Sequence, residues 1–287
     1  MNSVVAAIRT KLLEKYGSDA CVIPSDEKLS ELLTGHVKLW VPTGLDDGVL
    51  GREGYGLPFG RIAEIFGPES HGKSSIVYYL IGRVQRRSGY AMLIDSENSY
   101  DTKYGKTMGI DNKSLVVVPL TKESSIERYL DMIVSFLEEI RKHDKKGPII
   151  IAWDTLVCTP TEEQLEKKSF RDKRRLMGLS RAMSEHLPAL GSKLAHHNAL
   201  LILVNQVRDN VGVMFGEKYT TPGGHAVKHL ATLRLFVKKV STKGSTIESI
   251  VYNKKNKVGP PYKQFRVRIA QDGISLVKAL AVTTDEE

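Results

Sequence analysis

The chain has 287 residues, 41% of them hydrophobic and 26% charged, which is the composition of a folded soluble protein long enough for one substantial core. Its 42 basic residues outnumber 33 acidic ones, and the net charge of +9 favours polyanionic partners. Two cysteines, Cys21 and Cys158, exclude a disulfide framework, no apolar run reaches the ~18–20 residues of a membrane span, and the charged start lacks an export signal, so a cytoplasmic protein without a membrane partner is expected.

In chain order, Val4, Val5, Ile8, Leu12 and Leu13 recur at helical spacing and predict an amphipathic helix over about 3–16, stopped at Gly17. "ACVIP" then reads as a short strand, "SDEKLSELLTGH" as a polar linker, and "GLDDGVLGREGYGLPFG" as a turn-rich lead-in. The central chain alternates the apolar runs "RIAEIF", "YAMLID", "SLVVVPL", "PIIIAWD" and "ALLILVNQ" with helical patterns such as "SSIVYYLIGRVQRRSG". Runs this apolar predict an α/β fold, with a mostly parallel sheet buried under helices on both faces. "ATLRLFVKKV", "IESIVYNKKNK" and "KQFRVRIAQDG" alternate more openly and predict an antiparallel extension, and "TTDEE" reads as a short tail. The expected organisation is an N-terminal element and linker over 1–37, a core over 38–278 and a tail over 279–287.

"GPESHGKS" matches G-x-x-x-x-G-K-[ST], between a predicted strand and a predicted helix. Gly67, Pro68, Glu69, Ser70, His71 and Gly72 would wrap the phosphates with backbone N–H groups, continuing into Lys73, Ser74 and Ser75 at the helix start. Lys73 would reach the β- and γ-phosphates of ATP and Ser74 would bind Mg²⁺, with the His71 side chain a passenger. Asp154, ending "PIIIAWD", either holds the Mg²⁺ shell through water or caps the next turn. "AMLIDSEN" offers Asp95 and Glu97; Glu97 is favoured to activate water and Asp95 to fix a turn. Asn205 and Gln206 end "ALLILVNQ", where they either cap the sheet edge or contact the γ-phosphate beside the Gly-rich stretch that follows. Two basic runs add a nucleic-acid signal. "KKSFRDKRR" holds six basic residues and one acid, and Lys228 to Arg268 holds eleven basic residues and Glu248 alone.

These segments together resemble the RecA family of DNA recombinases in register over roughly residues 40–278. "GLPFGRIAEIFGPESHGKSS" is similar to its phosphate loop, "LIDSENSYDTKYGKTMGID" to its catalytic-glutamate segment, "LVNQVRDNVGVMFGEKYTTPGGHAVKHLATLRL" to its second DNA-binding loop and "KKNKVGPPYKQFRVRI" to its late Lys-Asn-Lys motif. The resemblance implies a RecA-type P-loop ATPase core that uses ATP and Mg²⁺. It implies helical filaments on single-stranded DNA, pairing with homologous double-stranded DNA, and ATP at the protomer interface. Glu97 would be the catalytic base, Gln206 the γ-phosphate sensor, and Lys255 and Lys257 would reach the neighbouring protomer's ATP. Without the family these lysines are part of a basic strand.

Tyr104 would stack on adenine and Asp101 contact its edge, although Tyr104 alone reads as an ordinary aromatic. The first DNA loop would lie near 163–175, presenting Lys168, Arg171, Arg174 and Arg175 and leading into Arg181. The second would run from Arg208 to about Thr221, through Val211, Met214 and Phe215, with Gly223 and Gly224 opening the next helix; Met214 and Phe215 either wedge against bases or pack within the loop. The N-terminal helix would pack on the adjacent protomer, or on its own core.

Three features depart from the bacterial pattern. With about ten residues after "QDGISLV", the family's C-terminal domain is expected to be missing, the first loop is unusually basic and lacks the usual glycines, and the region before Lys38 matches poorly. A compact, phage-like recombinase is therefore expected, with a ring helicase, a repair ATPase or a DNA-coating accessory protein of weak turnover as alternatives.

Overall fold

The computed structural model describes residues 10–11, 14–15, 40–45, 47–51, 56–166, 175–209 and 219–280. Apart from the helical Thr10, Lys11, Glu14 and Lys15, the predicted N-terminal helix, strand and linker lie outside the described residues. The elements are β1 (Trp40–Val41), α1 (Asp47–Leu50), β2 (Leu57–Pro58), β3 (Arg61–Gly67), α2 (Lys73–Gln85), β4 (Tyr90–Asp95), α3 (Thr102–Thr107), β5 (Leu115–Pro119), α4 (Ile126–His143), β6 (Ile149–Asp154) and α5 (Glu162–Glu166). They continue with α6 (Arg175–His196), β7 (Ala199–Gln206), β8 (Arg208–Asp209), β9 (Tyr219–Thr220), α7 (Gly224–Leu230), β10 (Leu233–Lys243), β11 (Thr246–Asn256), β12 (Gln264–Ala270) and β13 (Gly273–Leu280).

A nine-stranded sheet runs in the order β13-β12-β11-β10-β3-β7-β6-β4-β5. From β10 to β5 its strands are parallel, and β11, β12 and β13 add on antiparallel. The mixed sheet and its antiparallel extension agree with the sequence pattern. The unbroken apolar runs of β6 and β7 lie mid-sheet with both faces covered, as expected of central parallel strands.

Each face has its own core. On one, Ile76, Val77, Leu80, Ile81 and Val84 of α2 pack on Ala63, Ile65, Ala152, Ile202 and Val204. On the other, α4 presents Ile126, Tyr129, Leu130, Ile133, Leu137 and Ile140 as one helical stripe. With Leu179, Met183, Leu187 and Leu194 of α6, that stripe covers Ile151, Trp153, Leu201 and Leu203. Each fully buried aliphatic side chain contributes roughly 1.5–3 kcal/mol, so the two cores hold the strand ends rigidly. Ser125 starts α4 by accepting a hydrogen bond from the Arg128 N–H at 3.0 Å.

One expectation fails. "SLVVVPL" reads as a strand buried on both faces, but β5 is the edge strand, with Val116 44% and Val117 37% exposed. Among the described residues it pairs with β4 alone, and of its three valines only Val118 is buried, in the core beneath α4 and α6.

Candidate active site

Strands β3, β7, β6 and β4 are neighbours, and the predicted nucleotide residues lie at or just beyond their C-terminal ends. That is where open α/β sheets bind ligands. Gly72 caps α2 with φ of 92°, and no side chain satisfies the first N–H groups of the helix, which leaves them free for an anion. A Cβ at Gly72 would strike the Ile269 side chain of β12. His71 is more than a passenger. Its Nδ1 accepts from the Lys239 N–H at 3.2 Å and its carbonyl accepts from the Ser249 hydroxyl at 2.8 Å, so β10 and β11 brace the loop from behind. Burial, with Lys239, Lys73 and Lys238 nearby, pushes its imidazole below the ordinary value, against a backbone contact to Val237.

Lys73 is 6% exposed and donates to the Pro68 carbonyl at 2.7 Å. Burial lowers its pKa, while Asp154, Glu97 and Glu69 favour its charged form. Asp154 is 3% exposed, and neither of its oxygens has a hydrogen-bond partner. Burial raises its carboxyl to about 6; the Ser74 hydroxyl is near enough to temper this without reaching bonding geometry, and Glu97 and Asp95 add to the rise while Lys73 opposes it. A buried acid with two idle oxygens beside a helix-start hydroxyl suits a hydrated divalent cation.

The folded carboxyl keeps its proton above the ordinary 3.8. Its stabilising contribution is therefore complete below about 3.8 and is lost as pH rises through about 6. Asp154→Asn is expected to stabilise the metal-free protein by roughly 2–3 kcal/mol at pH 7.5, with the gain vanishing by about pH 4. Thermal unfolding at the two pH values measures this, and an unchanged midpoint at pH 7.5 would contradict it.

Asp95 accepts from the Ser99 N–H at 3.1 Å and the Tyr100 N–H at 2.9 Å, so it builds the turn. Glu97, two residues on, is exposed. Its Oε1 accepts from the Thr155 hydroxyl at 3.0 Å, the Gln206 Nε2 at 3.5 Å and the Cys158 thiol at 3.7 Å. Thr155 and Cys158 are the site residues that the sequence reading missed. They lie one and four residues after Asp154, and a hydroxyl and thiol just beyond a strand-end acid are the local signal.

Tyr104 is half-buried on α3. Its hydroxyl shares a 2.6 Å hydrogen bond with Ser75, and its ring sits edge-on to Tyr78 at 6.3 Å. Asp101 spends its carboxylate capping α3, accepting from the Tyr104 N–H at 2.7 Å.

Of the predicted first loop, Lys168, Arg171 and Arg174 lie outside the described residues. Arg175 begins α6, and Arg181 is exposed on it. Of the second, Val211, Met214 and Phe215 also lie outside. The stretch is flanked by a two-stranded ribbon in which Arg208 pairs with Thr220 and Asp209 with Tyr219. Gly223 caps α7 with φ of 93°, and a Cβ on Gly224 would meet Ser180 of α6 at 3.0 Å. The helices downstream of the two loops are thus in direct contact.

Lys255 donates to the carbonyls of Lys228 at 2.6 Å and His229 at 3.0 Å, and Lys257 to His229 at 3.3 Å. Both ammonium groups therefore cap the C-terminus of α7. Asn253 and Asn256 fix this part of β11, donating to the Val49 and Gly51 carbonyls at 2.6 Å each.

The family model of the RecA N-terminal domain matches residues 43–275. The chain is 35% identical to the Protein RecA of Macrococcus caseolyticus over 253 residues, 85% of this chain and 65% of that relative. It is 34% identical to the Protein RecA of Lactobacillus delbrueckii subsp. bulgaricus over 90% of this chain and 75% of that relative. The corresponding figures for the Protein RecA of Francisella philomiragia are 36% identity, 87% and 68%. The chain thus spans about two thirds to three quarters of these relatives' lengths. A family match whose span takes in the phosphate loop, Glu97, Asp154, Gln206 and most of the antiparallel extension leaves one conclusion: the chain belongs to the RecA family.

Proposed function

We propose that the protein is a DNA-dependent ATPase of homologous recombination. It would coat single-stranded DNA as a helical filament, pair that strand with a homologous duplex and exchange strands. The observation that carries the reading is the contact of Gln206 with Glu97, made from the end of β7, two residues before β8 begins and the Gly-rich stretch follows. The family membership and the net charge of +9 support DNA as the partner.

In this reading the N-terminus of α2 and Lys73 bind the triphosphate, and Ser74 and Asp154 hold Mg²⁺. The metal, when bound, neutralises phosphate charge. Glu97, whose Oε1 is held by Thr155, accepts the proton of the attacking water on its other carboxylate oxygen. Gln206 exchanges its contact with Glu97 for the γ-phosphate and passes that change to the adjoining DNA loop.

The test is ATP turnover with and without single-stranded DNA. Stimulation of at least about tenfold, falling as salt rises, is expected, and turnover indifferent to DNA would sink the reading. For the trans role of the lysines, the double variant Lys255→Ala/Lys257→Ala is expected to bind nucleotide normally yet depress wild-type turnover when the two proteins are mixed. Additive turnover in the mixture would confine these lysines to their cis contacts with α7. Imaging with a non-hydrolysable ATP analogue distinguishes a filament from a ring.

A further inference from the structure

We infer that Asn205 is a positioning residue that ties the nucleotide face of β7 to the start of α7, with Glu64 and Arg234 fixing its orientation. The inference deepens the proposed function and rests on that reading of Gln206 and the adjoining loop.

Successive side chains of a strand point to opposite faces. Val204 packs in the core beneath α2, while Leu203 packs in the core beneath α4 and α6. Gln206, in register with Gly67 of the phosphate loop, therefore faces the nucleotide side, and Asn205 faces away. Asn205 is fully buried. Its Nδ2 donates to Glu64 Oε1 at 2.8 Å and to the Pro222 carbonyl at 3.2 Å. The other Glu64 oxygen accepts from Arg234 Nε at 2.6 Å, and the guanidinium lies 4.6 Å from the centre of the Phe66 ring. One end of the amide contact is thus anchored to β3 and β10. The other end holds the last carbonyl before Gly223 and Gly224.

Those two glycines have φ of 93° and 70°. Proline lacks an N–H and glycine has little conformational preference, so the local chain alone defines the start of α7 weakly. The Asn205 amide supplies the missing constraint. Adjacent residues of one strand move together, so a shift of Gln206 toward or away from Glu97 displaces Asn205 and with it Pro222. The arrangement also leaves Asn205 Oδ1 and Thr221 Oγ1 buried without partners among the described residues. Such orphans need a reason, and a second arrangement that satisfies them provides one.

Hydrogen exchange of the amides over residues 219–230 tests the tie, with Mg–ADP or a non-hydrolysable ATP analogue bound. In the wild type the analogue is expected to slow exchange of α7 at least tenfold relative to ADP. Asn205→Ala should abolish that difference while binding a fluorescent ATP analogue within threefold of wild type. Asn205→Ser, one bond short of Pro222, should do the same. Glu64→Gln keeps an acceptor for Asn205 and should keep the response despite a lower melting temperature. A wild-type response in Asn205→Ala, no response in the wild type, or a response that merely tracks melting temperature across the variants would each overturn the tie. Turnover with single-stranded DNA is read separately. If α7 responds to nucleotide but turnover ignores DNA, the recombinase reading falls and the tie stands.

Discussion

Replacing Lys73 by alanine is expected to lower ATP turnover by about 100- to 1,000-fold, the cost of removing one preorganised charge-stabilising donor. The environment explains the size of the effect. Lys73 is a nearly buried cation held by the Pro68 carbonyl, and Asp154, Glu97 and Glu69 all favour its charged form. Without it, three carboxylates face the triphosphate and no cation of the loop offsets them. Lys73→Arg keeps the charge, but its planar fork does not reproduce the single short contact to Pro68, so a loss of at least tenfold is expected there as well. Phosphate release under saturating ATP measures both, and turnover of Lys73→Ala within threefold of wild type would remove Lys73 from the site.

Glu97→Gln is expected to reduce turnover by about 100- to 10,000-fold, the usual contribution of a positioned base, while nucleotide binding survives. The substitution is nearly isosteric, so the contacts from Thr155 and Gln206 can persist in form. What is lost is the ability to take a proton. Nucleotide then stays triphosphate, and complexes on single-stranded DNA should dissociate more slowly by a similar factor. Thr155→Val leaves the base but frees its orientation, so a milder loss of about three- to tenfold is expected. Single-turnover phosphate release, read beside binding of a fluorescent analogue, separates the chemical step from affinity. Rapid turnover by Glu97→Gln would show that another group handles the water.

Much of this was visible in the sequence because its signals are local. An apolar run that stops at a polar residue marks a strand end, and Asp154 and Gln206 stand there in the fold, with Glu97 two residues beyond β4. The phosphate loop announces itself by glycine spacing. What stayed hidden is what depends on distant pairing. β4 and β5 are both apolar runs, yet one is interior and the other is an edge, because sheet order is set by crossovers that no window of residues reveals. The Glu64–Arg234 pair joins neighbours in the sheet that are remote along the chain. The cap that Asp101 gives α3 is also local, since it lies three residues before the N–H that it accepts.

The bracing of the phosphate loop sets a limit on how small this ATPase can be made. His71 is bonded to β10 and β11, and the left-handed Gly72 lies against the tip of the Ile269 side chain of β12. The last strands look dispensable on a linear map, since none of them supplies a residue to the loop motif. In three dimensions they are the mould in which the loop is cast. A fragment ending after β10 would contain all of "GPESHGKS", Glu97, Asp154 and Gln206, yet would lack the wall that gives the loop its shape. A minimal triphosphate-gripping unit has to reach at least Ile269.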